Sequence, residues 1–162
     1  MLSGWSDPAA LDRLAAGFKN RYDAEGYLAT RVYHGIHDML CALSDGGVVM
    51  AIATNKRRAP TVKILEHFGW ERHFRMVGTL DTPTPAHPDK ASMIAALLQE
   101  LSLVPEQSLY IGDTLGDGEA AAANGLEFWA AAWGYGAWER AALPERWHLL
   151  DTPAQILQRL DR

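Results

Sequence analysis

Ser108-Leu109-Tyr110-Ile111-Gly112-Asp113-Thr114-Leu115-Gly116-Asp117 is the stretch that decides the fold of this 162-residue chain. Its first four residues are mostly apolar and predict a short buried strand, which ends at a turn with two glycines and two aspartates. Glycine lets the backbone turn sharply and approach other groups closely. Two carboxylates four residues apart can present oxygens to one hard cation, and Mg²⁺ prefers oxygen ligands. The stretch therefore predicts a strand with a cation site at its carboxyl end.

Each aspartate of this stretch also has a structural interpretation. Asp117 precedes helical residues directly, so it can serve as a helix N-cap. Asp113 is harder to explain structurally, because a carboxylate at the end of a buried strand needs a partner.

Apolar residues on either side recur with two different periods, which predict alternating strands and helices. The continuous apolar run Val48-Val49-Met50-Ala51-Ile52-Ala53 predicts a strand buried on both faces. This alternation favours a three-layer α/β fold, with a mostly parallel sheet and helices on both faces. The predicted strands cover about 48–53, 74–78, 108–111, 126–132 and 147–150, and the predicted helices about 8–25, 36–43, 59–68, 89–101, 118–123 and 153–160.

Two further polar groups fall outside the carboxyl ends of the strands, where ligands bind in open α/β sheets. Thr54-Asn55-Lys56 follows the apolar strand, and its hydroxyl and amide can bond a phosphate or carboxylate oxygen. Thr54 and Asn55 could equally cap the following helix. Lys90 begins a helix, where a cation opposes the helix dipole. It is either a solvated surface lysine or a cation that neutralises an anion or an acidic cluster.

Composition and charge exclude several classes of protein. The net charge of -5 and the scattered basic residues argue against nucleic-acid binding, which needs clustered lysine and arginine. No apolar stretch is long enough to span a membrane, and the first residues lack the pattern of a signal peptide. The single cysteine, Cys41, cannot form an internal disulfide. These features predict a cytoplasmic protein with no membrane or nucleic-acid partner.

Three segments resemble, in order and spacing, motifs two, three and four of the haloacid dehalogenase (HAD) superfamily. They are Ile52-Ala53-Thr54-Asn55-Lys56, Lys90 and residues 110–117. The phosphoglycolate-phosphatase-like members are the most similar. Ala122-Ala123-Asn124-Gly125 and Trp133-Gly134-Tyr135-Gly136 fit that subgroup as well. The resemblance covers most of the chain and implies an HAD-like, Rossmann-like core.

The resemblance also implies a Mg²⁺-dependent phosphatase that hydrolyses a small phosphorylated metabolite through an aspartyl-phosphate. Thr54 would bind the transferring phosphoryl group with Asn55 beside it, and Lys90 would stabilise the charge on phosphate and nucleophile. Asp113 and Asp117 would hold Mg²⁺ directly or through water. Phosphoryl transfer needs mainly positioning and charge neutralisation, which these residue types supply.

One family motif has no counterpart in this sequence. The first motif of the family is an N-terminal strand that ends in Asp-x-Asp-Gly-Thr and supplies the nucleophile, and no such match occurs here. The first helix instead resembles the later part of the family's helical cap. We therefore expect an N-terminally truncated form, with residues 1–30 as a cap remnant and residues 31–162 as a core that lacks its central strand.

The missing strand has a structural consequence. In the family it lies between the counterparts of residues 48–53 and 108–111, so its loss would expose unpaired backbone groups on both. If the chain is ordered, we expect these two strands to pair directly or a second polypeptide to fill the slot. A homo-oligomer or a complementing chain is therefore a candidate partner.

Two functions follow from the sequence. The first is an HAD-type phosphatase of a small, phosphoglycolate-like monoester. The alternative is a catalytically inactive HAD remnant that acts as a binding, regulatory or complementing subunit.

Overall fold

A computed structural model describes residues 7–83, 85–140 and 143–160, without the side chain of Asn20. Internal contacts divide the chain into two units. One combines the segment up to Arg31 with Ala59–Glu71, and the other combines Val32–Arg58 with the chain from Arg72 onward. The assignment of residues 1–30 as a cap remnant and of 31–162 as the core stays a prediction.

Strands and helices alternate along the described residues, as predicted, with their ends shifted by a few residues. The strands are β1 Ala51–Thr54, β2 Met76–Thr79, β3 Leu109–Gly112, β4 Glu127–Ala131 and β5 Trp147–Leu150. The helices are α1 Pro8–Ala24, α2 Ile36–Asp45, α3 Arg58–Phe68, α4 Lys90–Glu100, α5 Leu115–Ala123 and α6 Ala154–Leu160. No helix in the described part of the chain has both the length and the apolar content needed to cross a membrane.

The smaller unit contains α1 and most of α3. Asp7 caps α1, since its side chain accepts a hydrogen bond from the amide of Ala9 at 3.1 Å. Lys63 of α3 donates to the carbonyl oxygen of Asp23 at 2.6 Å. This contact joins α3 to the end of α1.

The strands of the larger unit form two parallel sheets instead of one. β1 pairs with β2, while β3, β4 and β5 pair in that order. The α/β class and the parallel pairing are therefore confirmed. Of the two outcomes expected for β1 and β3, direct pairing does not occur among the described residues, where the Tyr110 hydroxyl of β3 instead donates to the Ala53 carbonyl oxygen at 3.0 Å. A side chain thus connects two strands that share no backbone ladder. Insertion of a second polypeptide stays a prediction.

β1 is less buried than its apolar sequence predicts. Val48 and Val49 precede the strand and are 45% and 56% exposed, and none of the four residues of β1 is fully buried. The predicted burial on both faces is therefore wrong. The physical reason is that β1, in the part of the chain that the structure describes, lies in a sheet of two strands, which offers fewer neighbours to cover it.

Helices packed on the strands supply the core of this unit. α4 packs on β1 and β2, and α5 packs on β3 and β4. Phe128, the second residue of β4, is 1% exposed and contacts the ring of Trp147 edge-on at 4.8 Å between ring centroids. α5 approaches the sheet closely because its inner face carries small residues, including Gly118 and Ala121. This close approach brings the start of α5 against the carboxyl end of β3.

Candidate functional site

The turn after β3 is organised by a reciprocal capping arrangement. Thr114 is the N-cap of α5, and its hydroxyl oxygen accepts a hydrogen bond from the Asp117 amide at 3.3 Å. Asp117, at the third helical position, accepts a bond in return from the Thr114 amide at 3.0 Å. The interpretation of Asp117 as the N-cap is therefore wrong. The helix begins at Leu115, three residues earlier than predicted, because threonine caps effectively at that point.

The two oxygens of Asp117 have different partners. Oδ2 accepts bonds from the Asp113 amide at 3.1 Å, the Thr114 amide at 3.0 Å and the Thr114 hydroxyl at 2.8 Å. Oδ1 accepts a hydrogen bond from the ammonium group of Lys90, and the two charged groups form an ion pair. Asp117 therefore links the turn after β3 to the start of α4.

The environment of Asp117 favours its ionised form. Burial alone would raise the pKa of this carboxyl, whose side chain is 6% exposed. The hydrogen bonds from Lys90 and Thr114, together with the Lys90 charge, outweigh burial and lower the pKa below its ordinary value of 3.8. Asp117 therefore carries a negative charge at neutral pH.

Lys90 occupies the first position of α4, as predicted from the sequence. Asp89 caps this helix by accepting a bond from the Ser92 amide at 2.7 Å. The Lys90 side chain is 18% exposed and is directed to Asp117. The ion pair accounts for a cation in a helical turn whose dipole disfavours it.

Asp113 has one engaged and one available oxygen. Its Oδ2 accepts a hydrogen bond from the Tyr135 amide at 2.7 Å. Within the described residues, no hydrogen bond reaches Oδ1. Because Asp117 is saturated by donors, Asp113 is the carboxylate of this pair that can bind a cation directly.

Thr54 and Asn55 lie at the end of β1, where the sequence places them, but the described residues show no hydrogen bond from either to Lys90, Asp113 or Asp117. The Thr54 hydroxyl oxygen accepts a bond from the Lys56 amide at 3.1 Å. A hydroxyl that accepts one bond can still donate another. Thr54 therefore retains the ability to donate a hydrogen bond to an anion.

Asp81 is a residue whose role the sequence analysis missed. The backbone amide of Arg58, the first residue of α3, donates hydrogen bonds to the Asp81 carboxylate, at 3.0 Å to Oδ1 and 3.2 Å to Oδ2. That amide is therefore capped by Asp81, two residues after β2, and not by Thr54 or Asn55 as the alternative interpretation held. Burial opposes the effect, but hydrogen bonds from Thr79 and Arg58 lower the pKa of Asp81 overall.

Tyr110 lies next to the charged cluster. Burial raises the pKa of its hydroxyl above the ordinary value of 10.0, and the negative charges of Asp117 and Asp113 raise it further. The hydroxyl therefore stays protonated and donates to Ala53, between the ends of β1 and β3.

The arrangement suits a small cation that prefers oxygen ligands, together with an anion. No group of three or more His, Cys, Asp or Glu ligands occurs in the described residues. Mg²⁺ sites in proteins usually combine one or two carboxylates with water and substrate phosphate. A cavity of about 410 Å³ lies at the opposite, amino end of β3 and β4, with Leu109, Glu127 and Arg159 in its lining. It is separate from this cluster.

Comparison with known proteins agrees with this geometry. Residues 8–131 match the model of the haloacid dehalogenase-like hydrolase family. The chain belongs to that family. An HAD-like α/β fold is also shared with a predicted phosphoglycolate phosphatase from Haemophilus somnus, with a TM-score of 0.83 and 24% identity over 95% of this chain and 68% of the other.

Two relatives of similar sequence carry different names, one a phosphatase and the other a kinase. The chain is 30% identical over 154 residues to a phosphoglycolate phosphatase from Xylella fastidiosa, which covers 91% of this chain and 67% of the relative. It is 33% identical over 119 residues to the tyrosine-protein kinase PtkA from Mycobacterium tuberculosis, which covers 74% of this chain and 40% of PtkA. This chain therefore spans 40% of the length of PtkA and 67% of the length of the phosphatase.

Proposed function

We propose that this chain carries the phosphate-binding and metal-binding part of an HAD phosphatase that hydrolyses a small phosphate monoester, of the phosphoglycolate type, through an aspartyl-phosphate. The observation that carries the proposal is the Lys90–Asp117 ion pair, which joins two family motifs at the carboxyl end of β3. The likeness to the Xylella phosphoglycolate phosphatase supports the substrate class. A cytoplasmic location, where such metabolites occur, is part of this proposal.

The phosphoryl group is bound by donors from the end of β1 and from the start of α4. Thr54 donates its hydroxyl proton to a phosphoryl oxygen, and the Asn55 amide lies beside it as a second donor. Lys90 neutralises the negative charge that the phosphoryl group and nucleophile bring together. Donors fixed in advance are effective here, because phosphoryl transfer depends mainly on positioning and charge stabilisation.

Asp113 would hold Mg²⁺ directly, and Asp117 would hold it through water. The assignment follows from the hydrogen bonds of the two carboxylates, since Asp113 has an oxygen without a donor in the described residues and Asp117 has none. When bound, the metal neutralises charge on the phosphate oxygens. Asp117 keeps Lys90 and the Asp113 amide in place around it.

The nucleophile requires one more strand. Asp113, Asp117 and Asp81 follow strands in the described residues, but each carboxylate is engaged by backbone amides. We place the nucleophilic aspartate on an additional strand between β1 and β3, whose facing edges have no ladder partner among the described residues. A second polypeptide or a longer form of this chain would supply it.

The experiment adds such a strand from outside. The chain is assayed with an aryl phosphate and Mg²⁺, alone and with a peptide of six apolar residues followed by Asp-Ile-Asp-Gly-Thr. Turnover that needs the peptide and disappears in Asp113→Asn supports the proposal. A peptide with Asn in place of its first Asp is the matched control. Turnover that survives Asp113→Asn would refute the assigned site.

The second candidate is a non-catalytic HAD subunit that binds a phosphorylated ligand or a partner. It is favoured because the aspartates that follow β2 and β3 already accept hydrogen bonds from backbone amides. Calorimetry with inorganic phosphate and Mg²⁺ separates the candidates. Phosphate binding that depends on Lys90, without turnover in the presence of the strand peptide, would establish the non-catalytic function.

A further inference from the structure

The loop Trp133-Gly134-Tyr135-Gly136 contacts Asp113 through its backbone. β4 is the parallel neighbour of β3, so the residues that follow both strands lie at the same edge of the sheet. The Tyr135 amide donates to Asp113 Oδ2 at 2.7 Å, while the Tyr135 side chain is 92% exposed. The contact therefore depends on the course of the backbone and not on the phenol group.

Both glycines of this loop are required by its close approach to Asp113. A Cβ at Gly134 would lie 2.2 Å from the Asp113 Cβ, and a Cβ at Gly136 would lie 1.9 Å from the Asp113 carbonyl oxygen. Both distances are far below any normal contact of a Cβ atom. At Gly136 the opposing atom is backbone, so no side-chain rotation relieves the clash. Only glycine lets the loop reach this position.

We infer that this loop, through the Tyr135 amide and the two glycines, is a positioning element that fixes the Asp113 carboxylate and leaves Oδ1 to the cation. The inference rests on the proposed function, in which Asp113 holds Mg²⁺. Groups that orient a metal ligand commonly change metal affinity 10- to 100-fold when they are lost. Here the orienting donor is a main-chain amide, which no substitution at position 135 other than proline removes.

The test uses Mn²⁺ as a probe, with the free ion measured by electron paramagnetic resonance during titration of the full chain. Gly134→Ala should weaken Mn²⁺ binding by about tenfold or more. Gly17→Ala is the matched control, because a Cβ there meets no atom within 4 Å, and its affinity should equal that of the wild type. Asp113→Ala should remove binding altogether.

The outcomes separate the two proposals. If Asp113→Ala abolishes binding while a folded Gly134→Ala binds Mn²⁺ as tightly as the wild type, the positioning role is overturned and the metal site stands. If Asp113→Ala binds as the wild type does, or the wild type does not bind, both are overturned.

A second measurement decides the matter if Gly134→Ala does not fold. The Tyr135 amide proton in the wild type should resonate downfield because it bonds a carboxylate, and it should move upfield in Asp113→Ala. Addition of Mn²⁺ should broaden that resonance in the wild type and leave it unchanged in Asp113→Ala. An amide resonance unaffected by removal of the carboxylate would overturn the inference.

Discussion

Lys90 and Asp117, 27 residues apart in the sequence, form an ion pair with side chains that are 18% and 6% exposed. The pair joins the first turn of α4 to the first turn of α5. The second oxygen of Asp117 is held by the Asp113 amide and by Thr114. One carboxylate thus orders three segments at the carboxyl end of β3, and we expect its removal to affect both stability and ligand binding.

Replacement of Lys90 by methionine should lower the free energy of unfolding by about 3 kcal/mol, near the lower end of the range for breaking a buried pair. The loss arises because Asp117 keeps its charge in a buried position without its cation. The donors on Oδ2 remain and limit the damage. Urea denaturation at neutral pH measures the change. In the double variant Lys90→Met with Asp117→Asn, the loss should be smaller than the sum of the two single losses; additive losses would show that the pair is not coupled.

Acid should destabilise the chain partly through Asp117. Since its pKa is lowered in the folded state, the unfolded chain binds this proton more tightly. The stabilisation is fully present above the ordinary value of 3.8 and is lost as the pH falls through the lowered pKa. The stability advantage of the wild type over Asp117→Asn should therefore shrink below about pH 4. Asp81 and Asp89 also have lowered pKa values, so only the difference between the two proteins isolates Asp117. A constant difference between neutral and acid pH would contradict the assignment.

The sequence predicted the parts of the site that local pattern encodes. The Gly-Asp turn after β3 and the position of Lys90 at a helix start follow from apolar periodicity and family spacing. The Tyr135 amide that holds Asp113 was missed, because a backbone donor leaves no mark on residue type; the two glycines around it were the available signal. Direct pairing of β1 with β3, one of the two outcomes expected, does not occur among the described residues. The sequence did not exclude it, because strand order depends on tertiary packing, which a strand's own residues do not specify.

Gly118 should tolerate alanine poorly, although alanine favours helices. A Cβ at this position in α5 would lie 2.2 Å from the Trp147 indole. The crowding should lower the free energy of unfolding by about 1 to 3 kcal/mol. Gly116→Ala is the matched control in the same helix, since its nearest neighbour is the Thr114 hydroxyl at 4.0 Å. Thermal unfolding followed by circular dichroism measures both variants, and equal stability for the two would contradict close packing of α5 on β5.

Tyr110 connects β3 to β1 through its hydroxyl, so Tyr110→Phe should cost about 1 kcal/mol by leaving the Ala53 carbonyl without its donor. Tyr135→Phe is the matched control, because that side chain is 92% exposed and should lose no stability. Since burial raises the pKa of Tyr110, ultraviolet titration of the wild type should show a tyrosine that ionises above the ordinary range. That late step should be absent from Tyr110→Phe and present in Tyr135→Phe. If all tyrosines of the wild type ionise together near the ordinary value of 10.0, the Tyr110 hydroxyl is not buried between the two strands.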